Sequence, residues 1–275
     1  MLDLFKIARS NAHTAEKEFN SLVAVLPTDD VATVRAFADW VKSESLISIN
    51  LRLFILLDVI GGKAHQNIYE WAEEAARLGG RKAEEALRER LGRFYDRRIA
   101  FDGAFRDGRK FRYGALYAGG IGLPVYGPYC VVLKSTFRNP QSNLAYLAGE
   151  SLSVCFTPTG VFDQTAAVRS SICQSHIHLT VAKERSSEVC RSNRDEWHNC
   201  IATPDRFFEA VFTAAVTLDA IKVVLVRKLH FDLMWDLAFA NFGRKLEEAE
   251  KALVHDFIRL RRATERGTIQ VEVVG

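Results

Sequence analysis

Apolar residues recur at helical spacing over residues 2–26, where Leu4, Ile7, Ala15, Phe19, Leu22 and Val23 share one side. Pro27 closes that run. Thr28-Asp29-Asp30 then supplies cap oxygens and early negative charge for a second helix, with Val31, Val34, Phe37, Trp40 and Val41 on its packing face. The period shortens to two over residues 46–53, which predicts a half-buried strand with Ser48, Asn50 and Arg52 on its polar face. The apolar run continues through Ile60 and equally permits a helix there; Gly61-Gly62 ends it either way. Residues 63–78 predict a helix with Ile68, Trp71 and Leu78 inward and Gly79-Gly80 as its stop. Residues 81–100 alternate charge at helical spacing, either as a solvated face or as a basic surface for an acidic target.

The second half opens with two apolar runs, 111–118 and 125–133, separated by a turn-rich link holding Gly119, Gly120, Gly122 and Pro124. They read as two strands, with Lys134-Ser135-Thr136-Phe137 as a polar exit. Residues 152–156 predict a further strand. Residues 163–204 are polar and weakly periodic, and read mostly as an insertion or long loop system. Strands are predicted at 207–212 and 221–226. A long helix follows over 232–266, with Leu246, Ala249, Leu253, Phe257 and Leu260 in register, and a terminal strand over 269–274. The class is α+β, with an N-terminal helical region at 1–45 and a second region at 46–275.

At 275 residues the chain can bury one substantial core. A hydrophobic share of 48% beside 26% charged residues is that of a globular protein, and a net charge of +3 is too mild to imply nucleic-acid binding by itself. No apolar run is long enough for a membrane-spanning helix, so no membrane partner is expected. The start mixes both charges and has no basic-then-apolar leader. Five cysteines without a small-scaffold spacing favour reduced thiols and a cytoplasmic setting, or delivery into a target cell by signal-independent secretion.

Two groups of residues carry candidate chemistry. Glu209 is a lone carboxylate among Phe207, Phe208, Val211 and Phe212. A charge there must reach solvent, a partner or a site. Strand alternation places Phe207 and Val211 on its side, with Phe208 and Ala210 on the other. Separately, Cys173, His176, His178, Cys190, His198 and Cys200 are possible zinc ligands, but their spacing matches no common finger and free thiols with loop histidines explain them as well. No metal site is assigned. Phosphate-loop, zincin and nucleophile-elbow motifs do not occur.

The segments 113–116 (Tyr-Gly-Ala-Leu), 126–134 (Tyr126 to Lys134), 135–137 (Ser-Thr-Phe), Gly149-Glu150-Ser151 and Glu209-Ala210 together resemble an uncharacterised bacterial family, some of whose members look like ADP-ribosyltransferases. The resemblance implies N-terminal helices on a mixed, mainly antiparallel split sheet of that type. It also implies an enzyme that consumes NAD to modify an intracellular protein or RNA, in the manner of a toxin, effector or defence enzyme. On that comparison Glu209 acts at the nicotinamide ribose, with Ser135 and Thr136 supporting it. Arg52 anchors the dinucleotide, with Arg112 as its rival, and Tyr113, Gly114 and Tyr117 contribute to the dinucleotide site. A neutralising antitoxin or immunity protein is a further implied partner. The sequence departs from the family where Phe207 stands two positions before Glu209, where Val211 follows Glu-Ala, and where Glu150 replaces an aspartate. Alternatives are an NAD glycohydrolase, or an inactive transferase-like binding module with a zinc-tied insertion.

Overall fold

The computed structural model describes residues 1–138, 143–203, 206–240 and 245–275. Eight strands form one sheet: β1 (Leu46–Leu51), β2 (Arg112–Tyr117), β3 (Tyr129–Leu133), β4 (Leu144–Leu147), β5 (Ser171–Cys173), β6 (Glu209–Phe212), β7 (Ile221–Arg227) and β8 (Val271–Val274). Their spatial order is β5-β4-β6-β2-β1-β3-β7-β8, and every neighbouring pair is antiparallel except β7 with β8. The sheet is continuous because β6 pairs with β2 on one side and with β4 on the other. One sheet thus stands where the resemblance implies two small ones, while the mixed α+β character, the antiparallel bias and the N-terminal helices match expectation.

Helices cover both faces, which is why the central strands read as nearly unbroken apolar runs; all five residues of β3 are buried. On one face, Ile47, Ile49, Val131, Val224, Ala210 and Phe212 meet α3 (Thr28–Glu44) and α10 (Ile177–Val189). On the other, Ala145, Leu147 and Val211 pack with α1 (Leu4–Ser10) and α7 (Tyr95–Ala104) through Leu4, Phe5, Phe101 and Phe105. Residues 1–45 therefore furnish parts of both shared cores.

Several elements differ from the sequence reading. The helix over 2–26 breaks at Asn11 into α1 and α2 (Ala12–Val23). Asn11 turns its amide outward to donate to the carbonyls of Val168 and Ser171. Both readings of 46–60 hold in part: β1 ends at Leu51, and Arg52 caps α4 (Leu53–Ile60). The charged run 81–100 divides at Gly92 into α6 (Ala83–Leu91) and α7, and Gly92 itself adopts a positive φ. In α5 (Ile68–Gly79) the inward residues are Tyr69 and Ala72, and Leu78 is exposed.

The predicted strand 152–156 is instead a short helix, α8 (Ser151–Val154), and the strand is the preceding four-residue β4. Residues 163–203 are largely regular: α9 (Gln164–Ser170), β5, α10 and a 3₁₀ turn, Arg194–Cys200. The apolar stripe of α10 is masked in sequence because His178 and Arg185 interrupt it at buried positions beside Ile177, Val181, Ala182 and Val189. The C-terminal helix is two helices, α11 (Lys228–Phe239) and α12 (Glu248–Glu265). Residues 241–244, within the predicted single helix, lie outside the described residues, as does Pro204 at the end of the predicted insertion. No helix among the described residues is long and apolar enough to cross a membrane.

Candidate active site

A cavity of about 570 Å³ opens on the sheet face that carries Ser48, Ala115 and Glu209. Its walls come from β1, β2, α5, α6, α7 and the 119–128 link. That size suits a small organic ligand. The register fixes its floor: Glu209 lies opposite Ala115 of β2 and Leu147 of β4 at the start of β6. A small residue at 115 leaves room above the carboxylate. Gly114 is required for a different reason, since a Cβ there would stand 2.7 Å from the Ser48 carbonyl oxygen. Asn50 holds the link in place, donating to the Gly127 and Ile121 carbonyls and accepting from the Leu123 amide.

Glu209 is 5% exposed. Its Oε2 accepts from the Ser151 amide at 2.8 Å, at the start of α8. Its Oε1 lies 3.9 Å from Nη2 of Arg98, which is itself 7% exposed. Burial raises the Glu209 pKa, and the Arg98 charge and the Ser151 hydrogen bond oppose that rise. Behind Arg98, Asp102 is fully enclosed at 3.7 Å from Nη1. Asp102 accepts from the Tyr69 hydroxyl at 2.8 Å and from the Tyr113 hydroxyl. Burial pushes Asp102 up to about 6, opposed chiefly by Arg98. The Tyr113 ring lies under the Arg98 guanidinium, 3.8 Å from centroid to Cζ. Glu150, a second carboxylate of the cavity, accepts from the Tyr126 hydroxyl at 3.1 Å.

The rim carries two arginines besides Glu89, whose carboxylate pairs with Arg81. Arg52 and Arg90 both line the mouth, and neither has a carboxylate partner among the described residues. Arg90 stacks on Trp71 at 4.2 Å. Its pKa is lowered by partial burial and then by the nearby charge of Arg52. His65, on the wall, is held neutral near pKa 4 by burial and by Arg112 and Arg90.

Of the residues picked out in sequence, Glu209, Arg52, Tyr113 and Gly114 come together at this cavity. Arg112 borders it, but its guanidinium is spent on structure: it donates to Glu70 and to the carbonyls of His65 and Thr213. Arg52 follows β1 in extended backbone as the cap of α4 and lines the cavity with Ser48 and Asn50, as the alternation predicts. Tyr117 is elsewhere, packed with Leu46, Cys130 and Val132, its hydroxyl donating to the Gly120 carbonyl. Ser135 and Thr136 are also remote. They form a 3₁₀ turn beyond the far end of β3, where Arg138 donates to Ser45, so they cannot support Glu209. Phe137 from that turn packs on Phe212. The candidate zinc ligands do not assemble: no group of three or more metal-binding side chains occurs among the described residues. The Cys173 thiol meets His176 and Ser175, and that of Cys200 meets Ser192.

Arg90 and Arg98 were hidden in the charged run 81–100, and Asp102 lies just beyond it. The one local trace of the buried pair is the four-residue spacing of Arg98 and Asp102 beside Phe101. No protein-family model matches the chain, and no curated protein matches it.

Proposed function

We propose that the chain is an NAD-consuming mono-ADP-ribosyltransferase acting on an intracellular protein or RNA, in a toxin, effector or defence setting. The observation that carries this reading is convergence. Tyr113 and Gly114, Tyr126, Glu150 and Glu209 come from four separated motif segments and line one cavity whose mouth is cationic and whose floor is a carboxylate. An extended ligand with anionic phosphates and a reacting ribose matches that polarity.

In this reading the dinucleotide phosphates lie toward Arg52 and Arg90, whose guanidinia can offer paired donors. The nicotinamide ribose lies over Glu209. The bond between the ribose anomeric carbon and the nicotinamide nitrogen breaks, and its electron pair leaves with neutral nicotinamide. Positive charge builds on the ribose, and the preorganised Glu209 carboxylate stabilises it. The acceptor's nucleophile then bonds to the anomeric carbon and releases its proton, which in this reading passes to Glu150, a second carboxylate of the lining. With water as acceptor the same site is an NAD glycohydrolase.

A non-catalytic binding module is the second reading. The hydrogen bond that Glu209 accepts from the Ser151 amide and the place of Ser135 and Thr136 outside the cavity favour it. Incubating the purified protein with NAD labelled in the adenylate, with and without a cell lysate, separates these readings. The transferase reading expects label on a macromolecule, and glycohydrolysis gives free labelled ADP-ribose. Unchanged NAD in both incubations leaves only the binding reading.

A further inference from the structure

The two edges of the sheet are finished differently. At β5 the strand residues are buried, α1 packs alongside, and the Asn11 amide donates to the Ser171 carbonyl. At β8 no strand among the described residues pairs with the outer side; β7 is its one neighbour. The ladder to β7 starts where the Val224 amide donates to the Gln270 carbonyl, and the parallel pattern continues it through Glu272 and Val274. The amides and carbonyls of Val271 and Val273 therefore point away from β7. Such a row is a template for another strand, and residues 271–274 hold neither the lysine nor the proline that would blunt it.

Apolar side chains continue this edge. α11 follows β7 without a loop and touches β8. Val273 is 43% exposed, and Leu229 and Leu233, one helical turn apart on α11, are 83% and 64% exposed. We propose that a second copy of this chain covers the edge, β8 pairing antiparallel with β8 of that copy about a two-fold axis. Self-complementarity favours this occupant. An axis normal to the sheet reverses each element against its mate, so the two α11 helices run in opposite directions and Leu229 of each meets Leu233 of the other. The same reversal brings Arg227, at the basic start of α11, toward Asp236 of the second copy. Both residues are exposed, and neither has an ion-pair partner within the chain among the described residues. Registers centred on Val271 or Val273 keep the two Glu272 carboxylates from facing each other. None of these residues lines the cavity with Glu209, so the pairing leaves that cavity open and stands apart from the transferase reading.

Sedimentation velocity of the purified chain over a dilution series tests this. The wild type is expected to run as a particle of twice 30.9 kDa at the upper concentrations and to dissociate on dilution. Leu233→Lys should raise the dimer dissociation constant roughly a hundredfold, since the axis repeats each substitution. Val273→Pro removes one outward amide from each edge and none from the ladder to β7, and should weaken the dimer as well. Arg227→Glu and Asp236→Arg should each weaken it, and the double variant should recover it. Melting curves confirm that the variants fold; should Val273→Pro melt early, Val273→Lys serves in its place. A wild type that stays monomeric throughout overturns the proposal and leaves the edge to a strand of some other protein. A dimer that survives Leu233→Lys and the Val273 variant also overturns it, because the contact then lies elsewhere.

Discussion

At the scale of single residues, the molecule concentrates its unusual chemistry in one buried constellation. Glu209 is a buried carboxylate whose pKa is raised by burial, with the Arg98 charge and the Ser151 amide opposing the rise. Glu209→Gln keeps the shape and removes the charge. It is expected to retain the fold and most dinucleotide affinity while turnover falls by about a hundredfold or more; wild-type turnover in that variant would make Glu209 structural. Asp102 gives a pH signature. Its folded pKa of about 6 lies above its ordinary 3.8, so the folded state holds the proton more tightly. Its contribution to stability is therefore full below pH 3.8 and declines as pH rises through 6. His65 works against this, being neutral in the fold down to about pH 4, so its stabilisation grows with pH over the same interval. Comparing wild type with Asp102→Asn cancels the His65 contribution. The melting temperature of wild type minus that of the variant should fall between pH 4 and pH 6, and a flat difference would mean that Asp102 is not perturbed.

At the scale of elements, two arginines with similar sequence credentials do different work because their segments end differently. Arg112 lies inside β2 and ties that strand to α5 through Glu70 and to the His65 and Thr213 carbonyls. Arg52 begins α4 and stays free at the mouth. Arg112→Ala is expected to cost about 1–3 kcal/mol of stability, the penalty for buried acceptors left unpaired. Arg52→Ala should leave the melting curve near wild type and weaken dinucleotide binding; the reverse pattern would exchange their roles. Sequence period revealed what depends on neighbours in the chain: α3, β1, β2, β6 and β7 fall where spacing puts them, and Glu209 shares its face with Val211 as alternation requires. It could not reveal what depends on distant partners. Arg98 looks like any arginine of a charged helix until Tyr113 and Glu209 arrive from strands far along the chain. Ser135 and Thr136 were chosen by motif, yet a chain turning at the far end of β3 carries them away from the site.

At the scale of the whole molecule, the layout ties the N-terminus to the site. Leu4, Phe5 and Ala8 of α1 are buried in the cluster that holds Val211 of β6, Phe101 of α7 and Phe111, which itself lines the cavity. Phe5 meets Phe111 edge-on at 5.8 Å. Leu2 exchanges backbone hydrogen bonds with the end of α7 through Ala104 and Arg106, and Asn11 secures the Val168 and Ser171 carbonyls next to β5. Burying Leu4 and Phe5 is worth roughly 1.5–3 kcal/mol each, a large share of the 5–15 kcal/mol that holds a typical domain together. A chain beginning at residue 12 should therefore melt well below the full chain and lose ligand affinity, because the supports of Arg98 and Glu209 loosen together. Circular dichroism melting of the two chains, with ADP-ribose binding measured below the lower transition, checks both halves. An unchanged melting temperature in the shortened chain would show that residues 46–275 hold their fold without α1, and that α1 is an ornament on the sheet and not part of its core.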